Sequence, residues 1–276
     1  MRLRLRLGLG LLALLGLGAV AAPLAQAWLG HDPFAPDLFR RYGAPSAEHP
    51  LGTDELGRDT ALRLLHGARV SLTVGVAVAL GATLLGTGIG LLAAWRGGWA
   101  DAVLMRIADG LLSLPTLPLL VVLAAVDTGR FGLPRGEAAA DIARIVAILT
   151  LFGWVGVARL ARAAALTQLA QDYVAAARVS GATEARVLLR HVLPNILGPI
   201  AVATALAVAG AILAESTLSF LGLGIQPPAP SWGNMLSNAQ EMVFNAPMAA
   251  VWPGLMILLA VAGCTLAADG LRRRFP

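Results

Sequence analysis

The sequence predicts an all-α integral membrane protein built as a bundle of six transmembrane helices. Three observations carry this reading. Of the 276 residues, 57% are hydrophobic and 13% charged, whereas an ordinary soluble domain is nearer half apolar and a quarter charged. The mean hydropathy is +0.74. The apolar residues also gather into six runs, 7–29, 70–95, 103–126, 142–161, 196–221 and 249–268, each near the roughly 20 residues that a helix needs to cross the hydrocarbon layer.

The first run follows Arg2, Arg4 and Arg6 and ends near Ala25-Gln26-Ala27, a pattern shared with cleavable signal peptides. Its apolar length exceeds the usual signal core of about 7–15 residues, so it is expected to stay as an anchor; cleavage would leave five spans. The second run carries Gly75, Gly81, Gly86, Gly88 and Gly90, and small residues let membrane helices pack closely. Pro115 and Pro118 predict a kink in the third. Near its cytoplasmic end Arg106 and Asp109 are three apart, the spacing of a helix-surface ion pair. The fourth is the most interrupted, by Arg144, Trp154 and Arg159. The fifth contains Glu215, which can line a translocation path or hydrogen-bond Ser216, Ser219 or an adjacent helix. The sixth holds Cys264, the single cysteine, so no internal disulfide or cysteine metal cluster exists.

All 21 basic residues are arginine. Without lysine the chain cannot complete a Walker A phosphate loop or form a lysine Schiff base. The arginines flank apolar runs, which is a topology signal and not a nucleic-acid surface. A cytoplasmic amino terminus places Arg2, Arg4, Arg6, Arg96, Arg106, Arg159, Arg162, Arg178, Arg186, Arg190 and Arg272 to Arg274 inside, 13 of the 21. Both termini are then cytoplasmic. The chain divides into residues 1–29 as terminus and anchor, 30–69 as an external loop, and 70–276 as a five-span core that includes a cytoplasmic loop at 172–195.

That loop reads as two short helices joined at a glycine. Asp172 caps the first, Gly181 turns the chain, and Thr183 caps the second. Val187, Leu188, Val192 and Leu193 form an apolar stripe away from Glu184, Arg186, Arg190 and His191, and Pro194 ends the helix. Such an element either offers a face to a partner or lies on lipid. On the outside, Asp54, Arg58 and Asp59 fit turns and local ion pairs. Pro227, Pro228 and Pro230 stiffen the last loop, and Trp232 is expected at headgroup level. His31, His49 and His66 have no recognised metal-ligand spacing.

Several strings together resemble a known family. Ala-Ala-Arg178, Gly181 and then His191-Val-Leu-Pro194-Asn195 look like the conserved cytoplasmic loop of permease subunits in binding-protein-dependent ABC importers. The family's glutamate falls here at Ala175. His49-Pro-Leu-Gly-Thr-Asp-Glu-Leu-Gly-Arg-Asp59 and Gly67-Ala-Arg-Val-Ser-Leu72 are similar to the dipeptide, oligopeptide and nickel permeases. So are Glu215-Ser-Thr-Leu-Ser-Phe-Leu-Gly-Leu-Gly224, Ser231-Trp-Gly233, Trp252-Pro-Gly254 and Asp269-Gly-Leu-Arg272. The resemblance spans about residues 49 to 272.

It implies the type I importer permease fold with a cytoplasmic coupling helix, in a bacterial or archaeal plasma membrane. It also implies half of a translocation pathway for dipeptides, oligopeptides or a related solute such as a nickel complex or glutathione. Expected partners are a second homologous permease, two ATP-binding subunits that carry ATP and Mg, an external substrate-binding protein and the lipid bilayer. No cofactor, metal or catalytic residue is expected on this chain. The coupling residues implied are Ala175, Ala176, Ala177, Arg178, Gly181, Arg186, Arg190, His191, Leu193 and Pro194; Glu215 and Ser219 are candidates to line the path. The rival is an ion-driven secondary transporter, but the internal repeats and midplane relays such a protein needs are not found. An intramembrane enzyme would need a nucleophile beside its base, and neither a serine nor Cys264 has a histidine at a compelling position.

Overall fold

The computed structural model describes residues 2–126 and 137–274. Arg130 and Arg135, which the topology places outside, lie beyond the described residues. The helices are α1 (Arg2–Leu29), α2 (Thr60–Arg96), α3 (Gly98–Ser113), α4 (Thr116–Ala125), α5 (Ala138–Leu169), α6 (Asp172–Val179), α7 (Glu184–Arg186), α8 (Leu193–Phe220), α9 (Ala239–Asn245) and α10 (Pro247–Arg272). A six-residue π-helical segment, Val187–Val192, joins α7 to α8. Among the described residues five helical stretches are long and apolar enough to span a membrane, and six if the bent pair α3–α4 counts as one.

The third span departs from expectation. It is broken, not kinked: α3 and α4 meet at 86°. Leu114 is extended (φ −84°, ψ 140°), as the residue before a proline prefers, and Pro115 has no N–H to continue the ladder. The second span also differs, because α2 begins at Thr60, ten residues before the apolar run at Val70. Asp59 supplies the reason. Its Oδ1 accepts a hydrogen bond from the Leu62 backbone N–H at 2.8 Å, so a polar cap starts the helix outside the apolar stretch. At 37 residues α2 is about 55 Å long, well beyond the hydrocarbon depth.

α2 forms the centre of the bundle, packed on α5, α8 and α1, while α10 lies between α1 and α8. The glycines explain how closely α2 and α5 approach. A Cβ on Gly86 would sit 2.6 Å from the Trp154 carbonyl oxygen, so only glycine fits. Gly88 by contrast faces open space. One core cluster joins Val74, Val78, Leu120, Ile145, Leu149 and Leu218.

At one end of the bundle, residues 30–59 fold over the start of α2. Asp54 Oδ2 is 2.8 Å from Arg58 Nε and 3.1 Å from Arg63 Nε, and Arg58 also reaches Glu55 at 2.8 Å. The expected local turns and ion pairs are present, and these side chains are nearly all buried. Trp232 does not face the lipid headgroups. It is fully buried, its Nε1 donates to the Leu64 carbonyl at 3.1 Å, and its backbone N–H donates to Ser71 Oγ at 3.2 Å. The loop after α8 carries it inward, held by Asn234 Nδ2, which donates to the carbonyls of Ile225 and Ala229.

Candidate functional site: the 171–195 surface and the bundle interior

The opposite end of the bundle carries the segment from Gln171 to Asn195. Gln171 occupies the cap position of α6, and Asp172 is the first helical residue instead of the cap. There its charge complements the amino-terminal dipole. α6 closes with paired bonds: the Ala182 N–H donates to Ala177 O and the Gly181 N–H to Arg178 O, each at 3.0 Å. This Schellman closure needs a left-handed residue, and Gly181 provides φ +85°. Thr183 then caps α7 as expected, its Oγ1 accepting from the Arg186 N–H at 3.4 Å.

Pro194 does not end the second helix. It is the second residue of α8, and the chain passes through it without interruption. The π-helical segment makes this possible: Leu193 N–H reaches back five residues to Leu188 O, so the ladder shifts register where Pro194 has no donor. Val187, Leu188 and Val192 are buried against Ala165 and Val174, with Leu193 half-buried beside them. The stripe read from spacing is therefore the packed face.

The other face is open. Ala175, Ala176, Arg178, Gly181, Arg186, Arg190 and Pro194 are exposed, Ala177 and His191 are half-exposed, and Val179 and Leu189 are 89% and 66% exposed. Arg178 is held in a bidentate pair with Glu184, at 2.9 and 3.1 Å. These hydrogen bonds hold its guanidinium charged even above its ordinary range. Arg186 and Arg190 have no ion pair among the described residues.

Spacing alone did not single out Tyr173 or Asn195. The Tyr173 hydroxyl donates to Gln168 Oε1 at 2.6 Å and accepts from Asn195 Nδ2 at 3.2 Å. Asn195 also donates to the His191 carbonyl at 2.6 Å. This node ties the ends of α5, α6, the π-helical segment and α8. Asn195 closes the quoted His191–Asn195 string; nothing in the periodicity marks Tyr173.

Within the bundle Glu215 is fully buried in this chain. Its Oε2 accepts from Ser71 Oγ at 3.1 Å and its Oε1 from Ser219 Oγ at 2.6 Å. Ser219 also accepts from the Ile225 N–H at 3.0 Å. Glu215 and Ser219 thus join α2, α8 and the following loop, and neither lines the internal cavity. That cavity, about 250 Å³, is bounded by Val78 and Ala82 of α2, Leu120 of α4, Leu149 and Phe152 of α5 and Ala211 of α8. Asp109 pairs with Arg159 of α5 at 3.3 Å, not with Arg106; α3 turns it toward a neighbouring helix. Next to it Arg162 of α5 bonds Asp101 of α3 through two nitrogens. Among the described residues no group of three His, Cys, Asp or Glu side chains is arranged to hold a metal.

Residues 86–276 match the family model of the binding-protein-dependent transport system inner membrane component. A dipeptide transport system permease protein of Alkalihalophilus pseudofirmus is 38% identical over 232 residues, 84% of this chain and 73% of the relative. A di/tripeptide transport system permease protein of Pseudomonas aeruginosa is 41% identical over 80% of this chain and 70% of its own. An oligopeptide transport system permease protein of Bacillus subtilis is 36% identical over 95% and 81%. In fold, a chain of the MetNI methionine ABC transporter in inward facing conformations superposes with a TM-score of 0.61 at 19% identity, over 77% of this chain and 95% of that one. The chain therefore belongs to the inner membrane components of binding-protein-dependent transport systems: it is a multi-pass permease subunit of an ABC importer.

Proposed function

We infer that this permease forms half of a path for dipeptides, oligopeptides or a closely related small solute such as glutathione, with both termini and the 172–195 segment in the cytoplasm. A second homologous permease completes the path, two ATP-binding subunits drive it, and an external binding protein delivers the solute. The segment 172–195 docks on an ATP-binding subunit. The observation that carries this is the two-faced construction of that segment: Val187, Leu188 and Val192 fasten it to the bundle, while Val179, Leu189, Arg186 and Arg190 stay uncovered on its far side. Exposed apolar side chains beside unpaired guanidinium groups suit a protein cleft with acidic groups. The absence of lysine agrees, since nucleotide hydrolysis by a Walker A site then falls to other chains. Permeases named for dipeptides, di/tripeptides and oligopeptides, and one named for glutathione at 37% identity, support the solute class.

The test is affinity purification from membranes, followed by uptake of a labelled dipeptide into vesicles holding the purified assembly. Two ATP-binding chains, a second permease and uptake that requires internal ATP are expected. Uptake by the lone chain under an ion gradient overturns the reading.

A further inference from the structure

A second cavity opens on the bundle surface between α1 and α2, about 630 Å³ in volume. Its α2 wall is formed by Arg69, Leu72, Thr73, Val76, Ala77 and Leu80, spaced as a single helical face. Its α1 wall is Gly16, Ala19 and Val20, and a Cβ on Gly16 would meet nothing within 4 Å. The small α1 residues leave the space that a larger side chain would fill.

Arg69 gives this groove a charged end. The stretch from Arg69 to the next charge, Arg96, covers 27 residues of α2, about 40 Å of helix, the depth of a bilayer with its headgroup layers. Arg69 therefore marks one headgroup level. From Arg69 to Leu80 the groove runs 11 residues inward, about 16 Å, close to the hydrocarbon depth of one leaflet. Arg69 is exposed and makes no hydrogen bond or ion pair among the described residues, and none of the lining residues is acidic. A guanidinium without a carboxylate partner above an apolar slot complements a phosphate that carries an acyl chain.

We propose that the α1–α2 groove is a binding site for one anionic phospholipid, its phosphate on Arg69 and one acyl chain between α1 and α2. A protein helix in the same place would cover Arg69 with apolar surface unless it brought an acid of its own, which makes it the less favoured occupant.

The experiment uses the permease purified with its companion subunits, reloaded with limiting phosphatidylglycerol or phosphatidylcholine and read by native mass spectrometry. Wild type should retain one more phosphatidylglycerol than Arg69→Gln, whose occupancy at the site falls about fivefold, the effect of one interfacial arginine. Phosphatidylcholine should be held equally weakly by both. Arg69→Lys should keep part of the preference, and Gly16→Leu, which fills the groove without touching the charge, should lose the lipid. Equal phosphatidylglycerol retention by wild type and Arg69→Gln overturns the proposal. So does equal retention of the two lipids by wild type, or a Val76→Cys variant that crosslinks to another protein chain in intact membranes.

Discussion

Asn195 at the start of α8 and Tyr173 in α6 are 22 residues apart, and the Asn195 amide donates to the Tyr173 hydroxyl at 3.2 Å. With Gln168 at the end of α5, the pair makes a solvent-exposed polar knot beside the open face of 171–195. Under the docking proposed above, this knot is the polar link from that face to both α5 and α8. Tyr173→Phe and Asn195→Ala should each cost about 1 kcal/mol in stability. They should also lower the number of solute molecules imported per ATP hydrolysed by severalfold in reconstituted vesicles, while ATP hydrolysis persists. An unchanged ratio in both variants would reduce the knot to local packing.

Gly181 and Gly86 are expected to fail in different ways. Nothing lies within 4 Å of a Cβ at Gly181, so Gly181→Val suffers only from φ +85°, a cost of about 1–2 kcal/mol or more for a branched residue. The complex should assemble but import at least tenfold more slowly, and Gly181→Asn, which tolerates the left-handed region, should recover most of the rate. Gly86→Val collides with the α5 backbone, so the chain itself should fall in abundance. Membrane immunoblots beside uptake assays separate the two outcomes.

Glu215 offers a choice between packing and pathway. If the carboxylate serves the two serines, Glu215→Gln should keep uptake of cationic and neutral dipeptides within about twofold. Glu215→Ala should destabilise the chain by about 2–4 kcal/mol by stranding Ser71 and Ser219. Thermal unfolding in detergent measures the second effect. A selective loss of cationic dipeptides in Glu215→Gln would instead make it a pathway residue.

The Arg178–Glu184 pair predicts a lack of pH response. The folded pKa of Arg178 is raised above the ordinary arginine value by its hydrogen bonds to Glu184. Its contribution is thus complete below that value and is lost only as pH rises past it. Protease resistance of the 171–195 segment should stay flat between about pH 6 and pH 9 as far as this arginine is concerned, yet fall in Arg178→Gln. The pair is exposed, so added salt should weaken it.

The spans were legible because apolar run length is a direct measure of membrane crossing, and Gly181 and Thr183 because turn and cap chemistry is local. Three of the breaks from expectation share one cause, in that packing against chain distant in sequence decides them. Asp109 meets Arg159 because α3 faces α5. Trp232 is turned away from lipid and into the protein by hydrogen bonds to Leu64 and Ser71, more than 160 residues away. Pro194 looked like a helix end because its missing donor is a local signal, whereas the π-helical shift that absorbs it depends on Val187, Leu188 and Val192 being packed below. Tyr173 left no trace in the pattern, since its role rests wholly on Gln168 and Asn195.

The right-angled break between α3 and α4 bears on how the chain enters the bilayer. At ten residues α4 is about 15 Å long, half the hydrocarbon depth, and it begins at a proline-broken end whose backbone lipid cannot satisfy. It is too short to be retained by its own hydropathy. Its buried residues Leu120 and Ala124 cluster with Ile145 and Leu149 of α5 and with Ala211 and Leu218 of α8, and the α8 residues lie more than 80 residues further along the chain. Insertion of α4 must therefore wait for its later neighbours, so a chain truncated before α8 would leave this segment exposed to membrane proteases.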